Sequence, residues 1–242
     1  MATAESVKAK IQGLIDTAND TTGNADKDLT AAVGALVAGY GAGGGSEEGF
    51  NLTPYIKTIN ISADFSEVTK PVELHLETAT SLSQMFYNVY LHCPKITIYI
   101  SNLCTNMSQA FRFGAAEAIS TMEEIEIVGD TSNITSYNQM FTNRRCIKRI
   151  LGEFDFSECT NTVAMFNGAI NLQEFYPVAN TIKKSISLSS AYLIDASIQA
   201  IIDGLADMTD TDTQTLTFHA DVKAKLTDTQ IATITNKNWT LA

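Results

Sequence analysis

The sequence contains little charge and few histidines. Charged residues make up 18% of its 242 residues, and there are three histidines, His75, His92 and His219. None of them lies in an HExxH or other paired-histidine spacing. A GxSxG motif is also missing, and the glycine run 41–45 is not followed by the Lys-Ser/Thr of a phosphate-binding loop. These absences predict a protein that is not an enzyme and that uses no cofactor and no metal.

Long hydrophobic runs are missing as well. No stretch of 18 apolar residues occurs, so membrane insertion is not expected. The opening MATAESVKAKIQGLI is amphipathic and lacks the continuous apolar core of a secretory signal, which favours synthesis in the cytoplasm without export. The net charge of -11 argues against nucleic acid as a partner, because phosphate groups would be repelled.

The first 40 residues carry two helical patterns. Apolar residues recur at intervals of three and four, which is typical of amphipathic helices. They are Val7, Ile11, Leu14 and Ile15 in the first helix and Leu29, Val33, Leu36 and Val37 in the second. A glycine-rich linker, 41–49, follows. A hairpin this short buries little by itself, so it either packs on its own body or attaches the chain to another protein or a second copy. The linker favours attachment.

Residues 50–193 contain a repeated phrase. It reads SLSQMFYN at 81–88, NMSQAFRF at 106–113, SYNQMFTN at 136–143 and NTVAMFNG at 161–168. The phenylalanines are Phe86, Phe111, Phe141 and Phe166, at intervals of 25, 30 and 25 residues. Self-similarity at a period of 20 to 50 residues indicates a solenoid of about four to five stacked coils.

Each repeat begins with a strand pattern. The runs are VELHL at 72–76, ITIYI at 96–100, IEIV at 125–128 and ILGEFDF at 150–156. Within the first phrase, Leu82, Met85 and Phe86 have the spacing of one face of a short helix. The predicted coil is therefore a strand, a corner and a short helix, with the phenylalanine as its anchor in the core.

The cysteines fit the same period. Cys104 and Cys159 lie seven residues before their phenylalanines, and Cys93 and Cys146 follow theirs. The four residues form no CxxC pair, so they are interpreted as small buried fillers rather than as metal ligands or disulfides.

The last segment, 194–242, is predicted to be an α/β cap. DASIQAIIDGLADM at 195–208 and KLTDTQIATITNKN at 225–238 have helical patterns, and TLTFHA at 215–220 and the final WTLA have strand patterns. Solenoids need terminal units with a polar outer face, which this segment can supply. Aspartates in DMTDTDTQT at 207–215 could chelate calcium, but the loop lacks the usual glycine and closing glutamate, so a solvated turn is favoured.

The phrases resemble the BspA-like leucine-rich repeats, which carry Ser/Asn-apolar-x-Gln before an Ala-Phe or Met-Phe pair after a short strand. The resemblance covers roughly residues 56–193 and departs from the usual period between Phe111 and Phe141. It implies a leucine-rich-repeat-like solenoid between the N-terminal helical hairpin and the C-terminal cap.

Both ends of the chain resemble repeat proteins encoded among phage and prophage structural genes of gut Firmicutes. This resemblance implies a virion protein at the tail, baseplate or fibre that binds a host surface protein or glycan. Its N-terminal helices would join it to other virion proteins, and a homo-oligomer is expected. The alternatives are a capsid or tail decoration protein without receptor contact, a bacterial surface adhesin, and a cell-wall hydrolase.

The residues that follow each anchor phenylalanine differ between repeats, and they are the candidate ligand contacts. Positions that packing does not dictate are free to carry recognition. The candidates are Tyr87, Tyr90, Arg112, Phe113, Arg144 and Arg145. The basic run NRRCIKR at 143–149 could contact an anionic glycan, teichoic acid or acidic protein, or it could be a solvated corner.

Overall fold

The computed structural model describes residues 50–51, 71–114 and 120–242. Its larger sheet contains six parallel strands in chain order, the first of which has only two residues. They are β1 (Phe50–Asn51), β2 (Val72–His75), β3 (Lys95–Tyr99), β4 (Glu124–Val128), β5 (Arg149–Phe154) and β6 (Glu174–Pro177). The protein therefore has a mixed α/β fold built on a parallel sheet.

The strands pair so that equivalent residues of successive repeats lie side by side. Val72 pairs with Ile96, Ile96 with Ile125, Ile125 with Ile150, and Ile150 with Phe175. All five side chains are buried. Alternate residues of a strand point to opposite faces, so this row and the one two residues further on form the strand side of the core. The apolar alternation in the sequence predicts this face.

Two glycines allow the chain to turn closely behind the sheet. Gly129 follows β4 with a φ of +123°, and Gly152 lies within β5 with a φ of +116°, where the register shifts. A Cβ atom at either position would lie 2.1 Å from a carbonyl oxygen of the preceding repeat, that of Ile100 or Ile127. Only glycine combines this φ with so close an approach.

The repeated phrases form successive tight turns, and the short helices predicted there are wrong. In the first phrase the N–H of Met85 donates to the carbonyl of Leu82, which closes a turn of four residues. The third residue of that turn, Gln84, has a φ of +60°. Positive φ recurs two residues before each later phenylalanine, at Gln109, Gln139 and Ala164. An α-helix requires negative φ throughout.

Hydrogen bonds between neighbouring phrases explain this backbone. The N–H groups of Gln84 and Phe86 donate across to the carbonyls of Ser108 and Ala110, at 3.0 and 2.6 Å. The same pattern continues into the third and fourth phrases. Every second N–H thus joins two repeats, whereas a helix would direct all of them along its own axis. These bonds offset the left-handed residues, which cost about 1–2 kcal/mol each.

The four anchor phenylalanines stack on one another inside the molecule. Ring centroids are 5.2 Å apart between Phe86 and Phe111, 5.6 Å between Phe111 and Phe141, and 5.8 Å between Phe141 and Phe166. The rings are tilted by 9–20° and all four side chains are buried. We call this stack the phenylalanine ladder. It fills the side of the core opposite the strands, which is the packing role that the spacing of these residues predicts.

A second sheet of three parallel strands follows the first. It contains β7 (Ile186–Leu188), β8 (Gln214–Phe218) and β9 (Trp239–Leu241), in that order. Because β7 pairs with β8, this sheet begins before residue 194. The helices are α1 (Asp195–Gly204), α2 (Ala220–Lys223) and α3 (Asp228–Asn236).

The predicted helices and strands of this C-terminal region are confirmed, with shorter bounds. In α1 the side chains of Ile198, Ile201 and Ile202 are buried, as their spacing predicts. Thr227 is the N-cap of α3, and its side chain forms a capping box with Gln230. The short helix α2 was not predicted.

The attachment helices of residues 1–40 and the glycine linker lie outside the described residues, apart from the strand at 50–51. Residues 52–70 and 115–119 are also outside them. The extra residues of the longer interval lie before β4, since Lys95 pairs with Glu124 while Glu124 pairs with Arg149, only 25 residues on.

Candidate ligand-contact surface

The six candidate contact residues divide into exposed and buried ones. Tyr90 and Arg145 are exposed, and Tyr87 and Arg112 are half-buried. Phe113 and Arg144 are buried, with Arg144 at 0% exposure. The prediction that Phe113 and Arg144 contact a ligand at the surface is therefore wrong. Both residues support the exposed ones from below.

Arg112 and Tyr87 form one contact pair. The guanidinium carbon of Arg112 lies 5.5 Å from the centroid of the Tyr87 ring, within the range of a cation–π interaction. Its Nη1 donates to Oε1 of Gln139 at 2.8 Å. These two contacts come from the repeats on either side of Arg112. They hold a long, flexible side chain in one place, which reduces the entropy that a ligand would have to remove on binding.

Three glutamines form a row beside this pair. The amide of Gln84 donates to that of Gln109 at 3.3 Å, and the amide of Gln109 donates to that of Gln139 at 3.2 Å. They occupy the same position, two residues before each anchor phenylalanine, and in the fourth repeat this position is Ala164. The recurrence of Gln in the phrase was visible in the sequence, but its lateral pairing depends on the stacking of the repeats.

Tyr90 lies over Phe113, which in turn lies over Arg144. The ring centroids of Tyr90 and Phe113 are 4.9 Å apart, and the Arg144 guanidinium carbon lies 5.3 Å from the Phe113 centroid. Tyr90 keeps 41% of its surface exposed. The stack therefore presents one tyrosine face to solvent on a buried support, a common arrangement for an interface anchor.

Arg144 holds three repeats together through backbone carbonyls. Its Nε donates to Phe111 at 2.5 Å, its Nη1 to Val89 at 2.7 Å and its Nη2 to Phe86 at 2.8 Å. Five donors in a rigid planar fork suit arginine to this task, because one side chain can bind several carbonyls at once. The sequence pattern placed this residue in a basic surface cluster, and sequence alone gives no sign of the burial.

Most of the basic run at 143–149 is occupied by acidic partners from the preceding repeat. Lys148 pairs with Glu123 at 2.6 Å, and Arg149 Nε donates to Glu124 at 2.8 Å. Together with the burial of Arg144, these pairs leave Arg145 as the exposed cation of the run. The interpretation of the whole run as a contact for an anionic glycan is therefore corrected.

Glu124 is the centre of a small ion-pair network on the outer face of the sheet. Lys95 lies 2.8 Å from it and 2.6 Å from Glu126. Burial alone would raise the pKa of the Glu124 carboxyl, but hydrogen bonds from Lys95 and Arg149 outweigh it, so the pKa lies below its usual value. A lowered pKa stabilises the fold above the ordinary carboxyl value of about 4.3, and this contribution is lost as the pH falls through the folded value.

Glu124→Gln is accordingly expected to lower the stability at neutral pH by about 1 kcal/mol and to have little effect in acid. The measurement is the urea midpoint of both proteins at about pH 7 and about pH 3. Glu158→Gln, which changes an exposed glutamate, should leave the midpoint nearly unchanged at both values. An equal loss of stability for Glu124→Gln at both pH values would show that the network is not the cause.

The cysteines are free thiols inside the structure. Cys93, Cys104 and Cys159 are buried and Cys146 is half-buried. Burial raises the pKa of Cys93 to about 12 and that of Cys104 to about 11, and it also raises the pKa of Cys159. These three thiols stay protonated at neutral pH and pack as small apolar groups.

The histidines and aspartates make local contacts. The His75 ring stacks on Tyr99 with centroids 4.2 Å apart, and Asp207 accepts hydrogen bonds from Thr209 within its own turn. Among the described residues, no group of three or more His, Cys, Asp or Glu side chains could hold a metal ion. In the same part of the chain, no helix has both the length and the apolar character needed to cross a membrane.

Comparison with known families gives one match. Residues 60–178, just under half of the chain, match the family described as "Mycoplasma protein of unknown function, DUF285". The matched segment contains all four anchor phenylalanines and strands β2 to β6. The match fits a BspA-like protein and does not bear on a phage origin. Comparison with curated proteins and with solved structures gives no match.

Proposed function

We propose that this chain is a non-enzymatic binding protein. In this proposal the repeats stack as a leucine-rich-repeat-like solenoid, and Tyr87, Tyr90 and Arg112 contact a protein or glycan on a host cell. The observation that supports it best is the Tyr90 ring, exposed at one face and packed against buried Phe113 at the other. Tyrosine and arginine contribute much of the energy in protein interfaces, especially when their side chains are already ordered.

The location that we propose is a phage particle, at the tail, baseplate or fibre. The support is the resemblance of both chain ends to proteins of phage and prophage structural genes. Residues 1–40 would attach the chain to other virion proteins and could also join copies of the chain in a homo-oligomer. A solenoid of this kind needs no catalytic group, since its role would be to hold the particle on a surface.

The test is binding of the purified full chain to bacterial cells. Fluorescently labelled wild-type protein is mixed with a panel of gut Firmicutes strains, and cell-bound label is measured by flow cytometry. We expect labelling of at least one strain. The double variant Tyr90→Ala/Arg112→Ala should reduce that labelling at least about tenfold, because each anchor is worth more than about 1 kcal/mol.

The control is Lys225→Ala, which removes an exposed positive charge from the C-terminal region. It should bind as the wild type does, while circular dichroism confirms that all variants are folded. If the double variant binds as well as the control, the contact surface is assigned wrongly. If the wild-type chain labels no strain, receptor binding is rejected in favour of a decoration protein without receptor contact.

A further inference from the structure

A cleft separates the last repeat from the C-terminal sheet. One wall comes from the segment after Phe166, and the other from the loops that follow β7 and β8. Its volume is about 560 Å³, within the range of small-molecule sites. It shares no residue with the contact surface described above. The lining residues are Ile170, Asn171, Gln173, Ser189, Ser190, Tyr192 and His219.

An exposed aromatic pair forms one side of the cleft. Tyr192 is 49% exposed, and its ring centroid lies 4.1 Å from that of His219, at an interplanar angle of 41°. The N–H of Asp221 donates to Nδ1 of His219 at 3.2 Å, and the Asp221 carboxylate lies 3.8 Å from the same nitrogen. In the neutral ring the proton is then on Nε2, which is available as a donor. The pair is thus a broad apolar face with a polar edge.

The opposite wall carries amides in fixed positions. Nδ2 of Asn171 donates to the carbonyl of Arg145 at 2.7 Å, which orients the side chain and leaves its Oδ1 as an acceptor. The backbone of Gln173 is held on both sides, by bonds to Lys148 and from Ile194. Its exposed amide can donate and accept. Such groups can pair with hydroxyls, which also donate and accept.

The lining contains no Asp, Glu, Lys or Arg, although the chain as a whole has a net charge of -11. A phosphate or carboxylate ligand would find no cation in it, and a basic ligand would find no carboxylate. A neutral sugar has the matching chemistry, because its C–H face packs on an aromatic ring while its hydroxyls bind amides and serines. We propose that this cleft binds a neutral saccharide.

The experiment uses the full chain and a panel of neutral sugars, namely glucose, galactose, mannose, N-acetylglucosamine and their β-linked disaccharides. Saturation-transfer NMR detects binding, and calorimetry measures the affinity. We expect at least one sugar to bind with a Kd on the order of 1 mM, as befits a small ligand in an open cleft. Glucose 6-phosphate and glucuronic acid test the charge argument and should bind more weakly than glucose.

Variants assign any binding to the cleft. Tyr192→Ala should abolish it, Tyr192→Phe should keep it because the ring face remains, and Gln173→Ala should weaken it about tenfold, as expected for one or two lost hydrogen bonds. Tyr90→Ala is the matched control, since it removes an exposed tyrosine from the other surface and should leave sugar binding unchanged. This control also separates the two proposals, because cell binding can fail while sugar binding persists.

Three results would overturn the inference. They are no binding by any sugar in the panel, tighter binding of the charged sugars than of the neutral ones, and unchanged binding by the Tyr192→Ala variant. Oligosaccharides released from bacterial cell walls, compared with the free sugars, would then show whether the natural ligand is a cell-surface glycan or a soluble sugar.

Discussion

Phe111→Ala is expected to lower the free energy of unfolding by about 3–5 kcal/mol, the usual cost of deleting a buried phenylalanine ring. Phe111 is fully buried and contacts a neighbouring ring on each side, Phe86 at 5.2 Å and Phe141 at 5.6 Å. Its removal leaves a cavity in the middle of the phenylalanine ladder, where the backbone on both sides is fixed by hydrogen bonds between repeats. The site therefore has little freedom to collapse.

The measurement is chemical denaturation followed by circular dichroism. Because small domains are stable by only about 5–15 kcal/mol, Phe111→Leu is included as a milder change that keeps the protein measurable. It should cost clearly less than the alanine variant. Val163→Ala, which shortens an exposed side chain in the fourth phrase, should change the stability by less than about 0.5 kcal/mol. A Phe111→Ala variant as stable as Val163→Ala would contradict the ladder.

Arg144→Met is expected to cost about 3–5 kcal/mol, comparable with breaking a buried ion pair. Methionine can fill the space of the aliphatic stem, but it cannot donate to the carbonyls of Phe86, Val89 and Phe111. Replacing a buried ion pair by apolar residues can be harmless when both partners are removed. Here the partners are backbone carbonyls that no substitution removes, so they lose a charged donor and stay buried.

Arg145→Ala provides the control for this prediction, because it removes the neighbouring arginine, which is exposed. Its effect on stability should be less than about 0.5 kcal/mol. Arg144→Lys should lie between the two, since an ammonium group keeps the charge but cannot reproduce the planar fork. Equal stability of Arg144→Met and the wild type would show that these hydrogen bonds contribute little.

The burial of Arg144 also changes how the candidate surface works. The guanidinium lies under Phe113, and Phe113 supports the exposed ring of Tyr90. A change at Arg144 is therefore expected to affect binding indirectly, through the position of Tyr90. For this reason the binding test uses Tyr90 and Arg112, whose side chains reach solvent.

The sequence alone determined the strands and the phenylalanine ladder. Alternating apolar residues are sufficient to place Ile96, Ile98 and Ile125 in the core, because a strand has a period of two. The 25-residue recurrence of phenylalanine is sufficient to predict the stacking, since equivalent side chains of stacked repeats meet. The C-terminal helices followed from their own periodicity and from the cap at Thr227.

Tertiary structure decided the features that depend on contacts between repeats. The spacing of Leu82, Met85 and Phe86 suits a helix or a series of turns, and hydrogen bonds to the next repeat select the turns. Arg144 reads as a surface cation until it meets carbonyls 33 to 58 residues earlier in the chain. The cleft exists only because the segment around Ile170 meets Tyr192 and His219. Local sequence carries periodicity, but which polar groups meet across the fold is set by the packing of distant segments.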